Sequence, residues 1–159
     1  MPRITIIFDS VTGNTEKVAC AVAEGAEKVK EVNVIVKRVG QATLGDLLES
    51  DGVIIGSPVY FGQMSAKMKA FIDKSIEVYG KLDGKVGAAF TSSGGKVSGA
   101  ETTLLSIIHA LLIHGMVVLG RSKGKHYGAA SVESPDLEDL DDCRDLGHKV
   151  ANLVMRLKK

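Results

Sequence analysis

A doubly wound α/β domain built on a parallel sheet is the fold predicted for this chain, on three observations. Short apolar runs alternate with helix-period patterns along all 159 residues. Runs such as Gly52-Val-Ile-Ile-Gly56 and Val86-Gly-Ala-Ala-Phe90 are apolar without alternation, as parallel strands covered on both faces are. An uncharged, hydroxyl-rich segment, Ser10 to Thr15, follows the first run and opens the first helical pattern, where such folds carry a ligand loop.

The elements follow in five β-α units. Strands are expected at about 3–8, 32–38, 52–57, 85–91 and 116–120, and helices at about 14–29, 43–49, 64–79, 99–114 and 135–157. In the third helix Met64, Met68, Phe71, Ile72, Ser75 and Tyr79 share one stripe, with Lys67, Lys69 and Lys74 largely elsewhere. The last helix opens on Ser134-Pro135-Asp136, a cap residue followed by a proline whose missing N–H costs nothing there. Its first turns are acidic (Asp136, Glu138, Asp139, Asp141, Asp142) and its end is basic (Arg156, Lys158, Lys159), which suits the helix dipole and reads as a solvated face. The fourth helix differs, because Leu104, Leu105, Ile107, Ile108, Leu111, Leu112 and Ile113 cover most of its circumference. Only Thr102, Ser106 and His109 form a weakly polar stripe, so helix 99–114 is expected to be covered by a second copy in a homo-oligomer, a dimer or higher.

Composition narrows the function. Twenty basic and nineteen acidic residues give a net charge of +1, neither the field of a nucleic-acid binder nor the acidity of many electron carriers. Cys20 and Cys143 lie far apart and form no C-x-x-C motif; with no signal segment in the sequence, a reduced, cytoplasmic protein is expected. The longest apolar stretch, Leu104 to Ile113, is interrupted by Ser106 and His109 and is too short for membrane insertion. No linker or repeat divides residues 1–159, which are expected to form one domain.

Three loops lie at the carboxyl ends of the strands. Ser10-Val11-Thr12-Gly13-Asn14-Thr15 offers hydroxyls and free helix N–H groups to an anion, and Gly13 lets the backbone turn over it. An ordinary capped helix start is the bland alternative for this segment alone. The lysine of a triphosphate loop is absent and no glycines are spaced G-x-G, so the loop suits one terminal phosphate. The second loop, Ser57-Pro58-Val59-Tyr60-Phe61-Gly62-Gln63, is stiffened by proline and offers flat apolar surface, with one aromatic expected to be tucked into the core. The third, Thr91 to Gly99, is flexible and rich in N–H and hydroxyl donors. Together they describe a phosphate socket beside a slot for a planar, polar-edged ring, the outline of a flavin mononucleotide (FMN) site.

Ser10-x-Thr12-Gly13-Asn14-Thr15 resembles the phosphate loop of flavodoxins. The segments Gly56 to Asp73, Phe90 to Gly95, Glu101 to Leu105, His114 to Val118 and Tyr127 to Ala130, in that order, resemble the tryptophan-repressor-binding-protein type of NAD(P)H:quinone oxidoreductase, a flavodoxin-like family carrying FMN. The resemblance implies a five-stranded sheet of order 2-1-3-4-5 with helices on both faces, the flavodoxin topology in which FMN lies at the switch between strands one and three. It implies that Ser10, Val11, Thr12, Gly13, Asn14 and Thr15 hold the phosphate. Pro58, Val59, Tyr60, Phe61 and Gly62 would line the ring, and Ser92, Ser93, Gly94 and Gly95 would bind its pyrimidine edge. The family's paired histidines are Ile113-His114 here, and its long insertions are missing, so neither a tetramer nor a formed nicotinamide pocket is implied.

Other polar residues carry weaker signals. Lys96 is either a solvated loop lysine or a cation near the flavin edge, the first reading being favoured. Arg121-Ser-Lys123-Gly-Lys125-His126 reads as a basic surface loop, with attraction of NAD(P)H phosphates as the sharper alternative. His114 is expected to meet the last carbonyls of its helix. A phosphoacceptor receiver is excluded, because strand three ends Ser57-Pro58 rather than in an aspartate. Two functions remain: an enzyme passing electrons from NAD(P)H through flavin to a quinone, and an electron carrier serving other redox proteins. No tryptophan and no aromatic in the third loop leave one ring face open, which favours the enzyme. In either case the flavin, and no side chain, carries the chemistry.

Overall fold

In the computed structural model, which describes residues 1–158, all strands run parallel, in the order β2-β1-β3-β4-β5. The elements are β1 (Arg3–Phe8), α1 (Asn14–Glu27), β2 (Asn33–Arg38), α2 (Leu44–Glu49), β3 (Gly52–Pro58), α3 (Ala66–Lys74), β4 (Val86–Ser93), α4 (Ala100–Ile113), β5 (Val117–Val118), β6 (Ala129–Val132) and α5 (Leu137–Leu157). Lys159, assigned above to the basic end of the last helix, lies outside the described residues. Register is continuous from Phe8 beside Arg38 on one side to Phe8 beside Gly56 on the other, so β1 and β2 finish level and β3 runs on to Pro58 beside β4.

The strands are buried on both faces, as their unbroken apolar runs predict. Ile4, Ile6, Ile54 and Phe90 face α1 and α5, meeting Val18, Val22, Leu146 and Val150. Ile7, Val53 and Ile55 face the other layer, where Met68 and Phe71 of α3 and Leu104, Ile107 and Leu111 of α4 cover them. The predicted apolar stripe of the third helix is thus the buried one as far as Ser75. The α-helix itself is shorter than expected, ending at Lys74 and tightening into a 3₁₀ turn over Ser75–Val78, and Tyr79 is exposed.

The fifth strand departs most from expectation. Instead of one strand over 116–120, β5 pairs only with Val86 and Gly87, and the same edge of β4 is completed by β6, which pairs with residues Phe90 to Ser93. Residues 119–128 loop out between them. The loop is tied down by Arg121, whose guanidinium is buried against Asp142 and Asp145 of α5 (3.0 Å to the latter). Lys125 reaches Asp139 at 2.5 Å and the Ala130 carbonyl at 2.6 Å. At the acidic start of α5, Asp136, Glu138 and Asp141 are exposed, as a solvated face requires, whereas Asp139 and Asp142 are taken up by Arg121 and Lys125; of the basic segment 121–126, Lys123 stays exposed. The cap of α5 is also corrected, from Ser134 to Asp136, which accepts from the Asp139 N–H at 2.8 Å in a reciprocal capping box.

Candidate functional site

The first, third and fourth strands end in the three loops singled out in the sequence, and hydrogen bonds join them. Asp9 N–H donates to Gly56 O (3.0 Å) and Val59 N–H to Ser92 O (3.0 Å), so each loop leaves its strand paired with the next. Thr15 Oγ1 and Ser92 Oγ lie 2.6 Å apart, both residues buried, which fixes the start of α1 to the third loop.

The first loop leaves several of its backbone donors open. Gly13 is the N-cap of α1 at φ 95°, in the left-handed region, and offers no side chain to the helix. Ser10 Oγ accepts from the N–H groups of Gly13 (3.2 Å) and Glu16 (3.3 Å). The N–H groups of Val11, Thr12, Asn14 and Thr15 donate to no acceptor among the described residues. Contrast α2, α3 and α5, which are capped by Thr43, Ser65 and Asp136. The two helices that lack a side-chain cap, α1 and α4, are those that follow the first and third loops. Donors left open at a helix start are what a phosphate satisfies. The Thr15 hydroxyl is turned inward to Ser92, which leaves Ser10 and the exposed Thr12 as the loop's hydroxyls for an anion.

In the second loop Tyr60 and Gln63 exchange both backbone hydrogen bonds, each 2.9 Å, around Phe61 (φ 50°) and Gly62 (φ 74°). Two successive positive φ values make a tight primed turn. Neither aromatic is tucked into the core, contrary to expectation: Tyr60 is 44% and Phe61 103% exposed. The polar backbone anchors the loop instead. Ser57 Oγ accepts from Ser65 N–H (2.8 Å) and Thr91 Oγ1 donates to Ser57 O (2.7 Å), leaving both rings exposed. Gly62 lies against the start of α4, where a Cβ on Gly99 would stand 2.7 Å from Gly62 Cα. In the third loop Ser93 Oγ donates to Gly95 O (2.9 Å), and Gly94, Lys96 and Val97 are exposed. Pro58 and Val59 are half-buried where the second loop leaves β3.

Sequence reasoning missed Arg38. It ends β2, its guanidinium lies 5.4 Å from the centre of the Phe8 ring, and it donates to Ser10 O (3.1 Å) while pairing with Glu16. The parallel register of β2 beside β1 was the available signal. A neighbouring cavity of about 740 Å³ shares Ser93 and Gly95 with the third loop and is otherwise bounded by Val97, Glu101, Tyr127 and Glu133, among others. None of residues 10–15 or 58–62 lines it, so it is separate from the first and second loops. The backbone N–H of His114 meets the Ala110 carbonyl at the helix end (3.2 Å), but its ring bonds elsewhere, to Ser75 Oγ at 2.7 Å.

Comparison with known proteins gives the family. Residues 37–126 match the family described as NADPH-dependent FMN reductase. A flavodoxin of Aquifex aeolicus is 40% identical, covering 97% of this chain and 88% of its own length. An NAD(P)H dehydrogenase (quinone) of Archaeoglobus fulgidus is 38% identical over 99% of this chain and all of its own. The crystal structure of a flavodoxin, WrbA-like protein from Agrobacterium tumefaciens superposes with a TM-score of 0.85 at 27% identity, over 98% and 99% of the two chains. The chain belongs to the NADPH-dependent FMN reductase family, flavodoxin-like FMN-binding flavoproteins related to the NAD(P)H-dependent quinone oxidoreductases.

Proposed function

We propose that the protein holds FMN across the three loops and works as an oxidoreductase, taking electrons from NADH or NADPH and giving them to a quinone. The observation that carries this reading is the set of open N–H groups at Val11, Thr12, Asn14 and Thr15, together with the exposed rings of Tyr60 and Phe61 on the second loop. FMN, when bound, supplies hydride acceptance and two-electron delivery. The chain's own residues bind and orient. Ser10 to Thr15 grip the phosphate, Pro58 to Gly62 line one face of the ring, and Ser92 to Gly95 present backbone N–H donors to its pyrimidine edge, the Ser92 and Ser93 hydroxyls being held by Thr15 and the Gly95 carbonyl. With no tryptophan in the chain and no aromatic in the third loop, the second ring face stays open for donor and quinone to use in turn.

The surface bears on assembly and location. The outward side of α4 exposes Leu112 (54%) and Ile113 (71%), and a second copy covers it in a homo-oligomer. Among the described residues no helix is long and apolar enough to cross a membrane. Cys20 and Cys143 are both free, and burial pushes the Cys143 thiol up to about 12, as an inert packing residue of a reducing cytoplasm.

Anaerobic reduction of the FMN-loaded protein tests the activity. Rapid bleaching by NADH or NADPH, with turnover by benzoquinone, is the expected result. The flavodoxin-type carrier is the second reading, favoured by the identity to the Aquifex aeolicus flavodoxin. It requires no bleaching by either nucleotide and reduction only through another redox protein.

A further inference from the structure

We propose that Arg38, balanced against Glu16, makes the site selective for a flavin carrying a phosphomonoester over the unphosphorylated flavin; this rests on the FMN reading above. The phosphate loop itself has no charge, and carboxyl groups bracket it: Asp9 precedes it and Glu16 follows in the first turn of α1. A phosphomonoester carries nearly two negative charges at neutral pH, so these neighbours oppose it. One cation answers them. Arg38 touches the loop at both ends, donating to the Ser10 carbonyl at 3.1 Å and pairing with the Glu16 carboxylate.

The other cations of β1 and β2, and Lys17 in the first turns of α1, are turned elsewhere. Lys17 of α1 reaches Ser134 Oγ (3.1 Å), and Arg3 and Lys37 are both held by Asp46 (2.8 Å each). The Arg38 side chain is 47% exposed and rests on the Phe8 ring, so its planar fork can turn from Glu16 toward an incoming phosphate without leaving its seat. Glu16 thus competes with the ligand for Arg38 and repels it directly. A flavin without the phosphate meets neither effect. In a water-exposed site, a unit charge within about 7 Å of a phosphate dianion changes affinity roughly five- to tenfold.

The test is fluorescence-quenching titration of the full chain, freed of flavin, with FMN and with riboflavin. Arg38→Gln is expected to weaken FMN roughly five- to tenfold, to leave riboflavin within about twofold, and to flatten the salt dependence of FMN binding. Arg38→Lys retains most of the affinity, and Glu16→Gln tightens FMN alone, which a merely structural role for the pair would not produce. Equal loss of both flavins in Arg38→Gln, or an unchanged FMN-to-riboflavin ratio in both Arg38→Gln and Glu16→Gln, overturns the proposal while the FMN reading stands. Wild-type protein that binds neither flavin overturns both.

Discussion

Thr15 Oγ1 and Ser92 Oγ stand 2.6 Å apart in the buried seam between α1 and β4, and this bond ties the phosphate loop to the loop expected at the pyrimidine edge. Thr15→Val keeps the shape and strands the Ser92 hydroxyl. Loss of about 1–2 kcal/mol of stability is expected, read by urea denaturation. Ser92→Ala strands Thr15 in the same way, and the double variant is expected to lose less than the sum of the two. Strict additivity would mean that the bond couples nothing.

Gly99 is where the second loop meets α4. Its φ of 103° and the 2.7 Å that a Cβ would leave to Gly62 Cα together forbid a side chain without movement of the 60–63 turn. Gly99→Ala is expected to cost about 2 kcal/mol or more and to weaken flavin binding by displacing Tyr60 and Phe61. Paired denaturation and FMN titrations check it; unchanged FMN affinity would show that the turn does not position the ring.

His114 has a defined tautomer. Ser75 Oγ donates to Ile72 O (2.6 Å), so its oxygen accepts from Nε2–H of His114 and leaves Nδ1 bare, buried and without a partner. Burial lowers the pKa of this histidine, because a proton on Nδ1 would find no acceptor. The unfolded chain then binds the proton more readily than the folded one. The stabilisation from neutral His114 is therefore complete above the unfolded value of about 6.5 and is lost as pH falls toward the folded value. Urea midpoints should drop between about pH 7 and pH 5, and the drop should shrink in His114→Gln. An identical pH profile in the variant would rule this out.

Arg121 pins the loop that splits the fifth strand. Asp142 and Asp145 are partly exposed, so Arg121→Met is expected to cost about 1–3 kcal/mol, less than a fully buried pair. It should also raise amide exchange locally, over residues 119–128. Exchange rising uniformly across the protein would show that the loop has no separate anchorage.

Much of this architecture was legible in the chain. The unalternating runs at Gly52–Gly56 and Val86–Phe90 allow only strands covered on both faces, and the hydroxyl loop could lie only where a strand hands over to a helix. The interrupted edge strand was not legible. Val117 and Val118 look like the start of a longer strand, whereas Ala129 to Val132 has too little side chain to announce itself, and only pairing with Phe90 to Ser93 makes it one. Arg121, Lys125 and Arg38 were hidden for a common reason. A long cationic side chain on a loop or strand end takes its direction from partners distant in sequence, here α5 and the phosphate loop. The aromatics of the second loop misled in the opposite sense, since backbone pairing of Tyr60 with Gln63 does the anchoring expected of a ring.

Whether residues 10–15, 58–62 and 92–95 form one FMN site is decided by titrating flavin-free protein with FMN while recording the flavin absorbance and fluorescence. Saturation at about one FMN per chain is expected in the micromolar range or tighter, with affinity lost when Gly13 is replaced by valine in protein that remains folded. Folded wild-type protein that leaves micromolar FMN unquenched, or a Gly13→Val protein that binds FMN as tightly as the wild type, would refute a single site built from these loops.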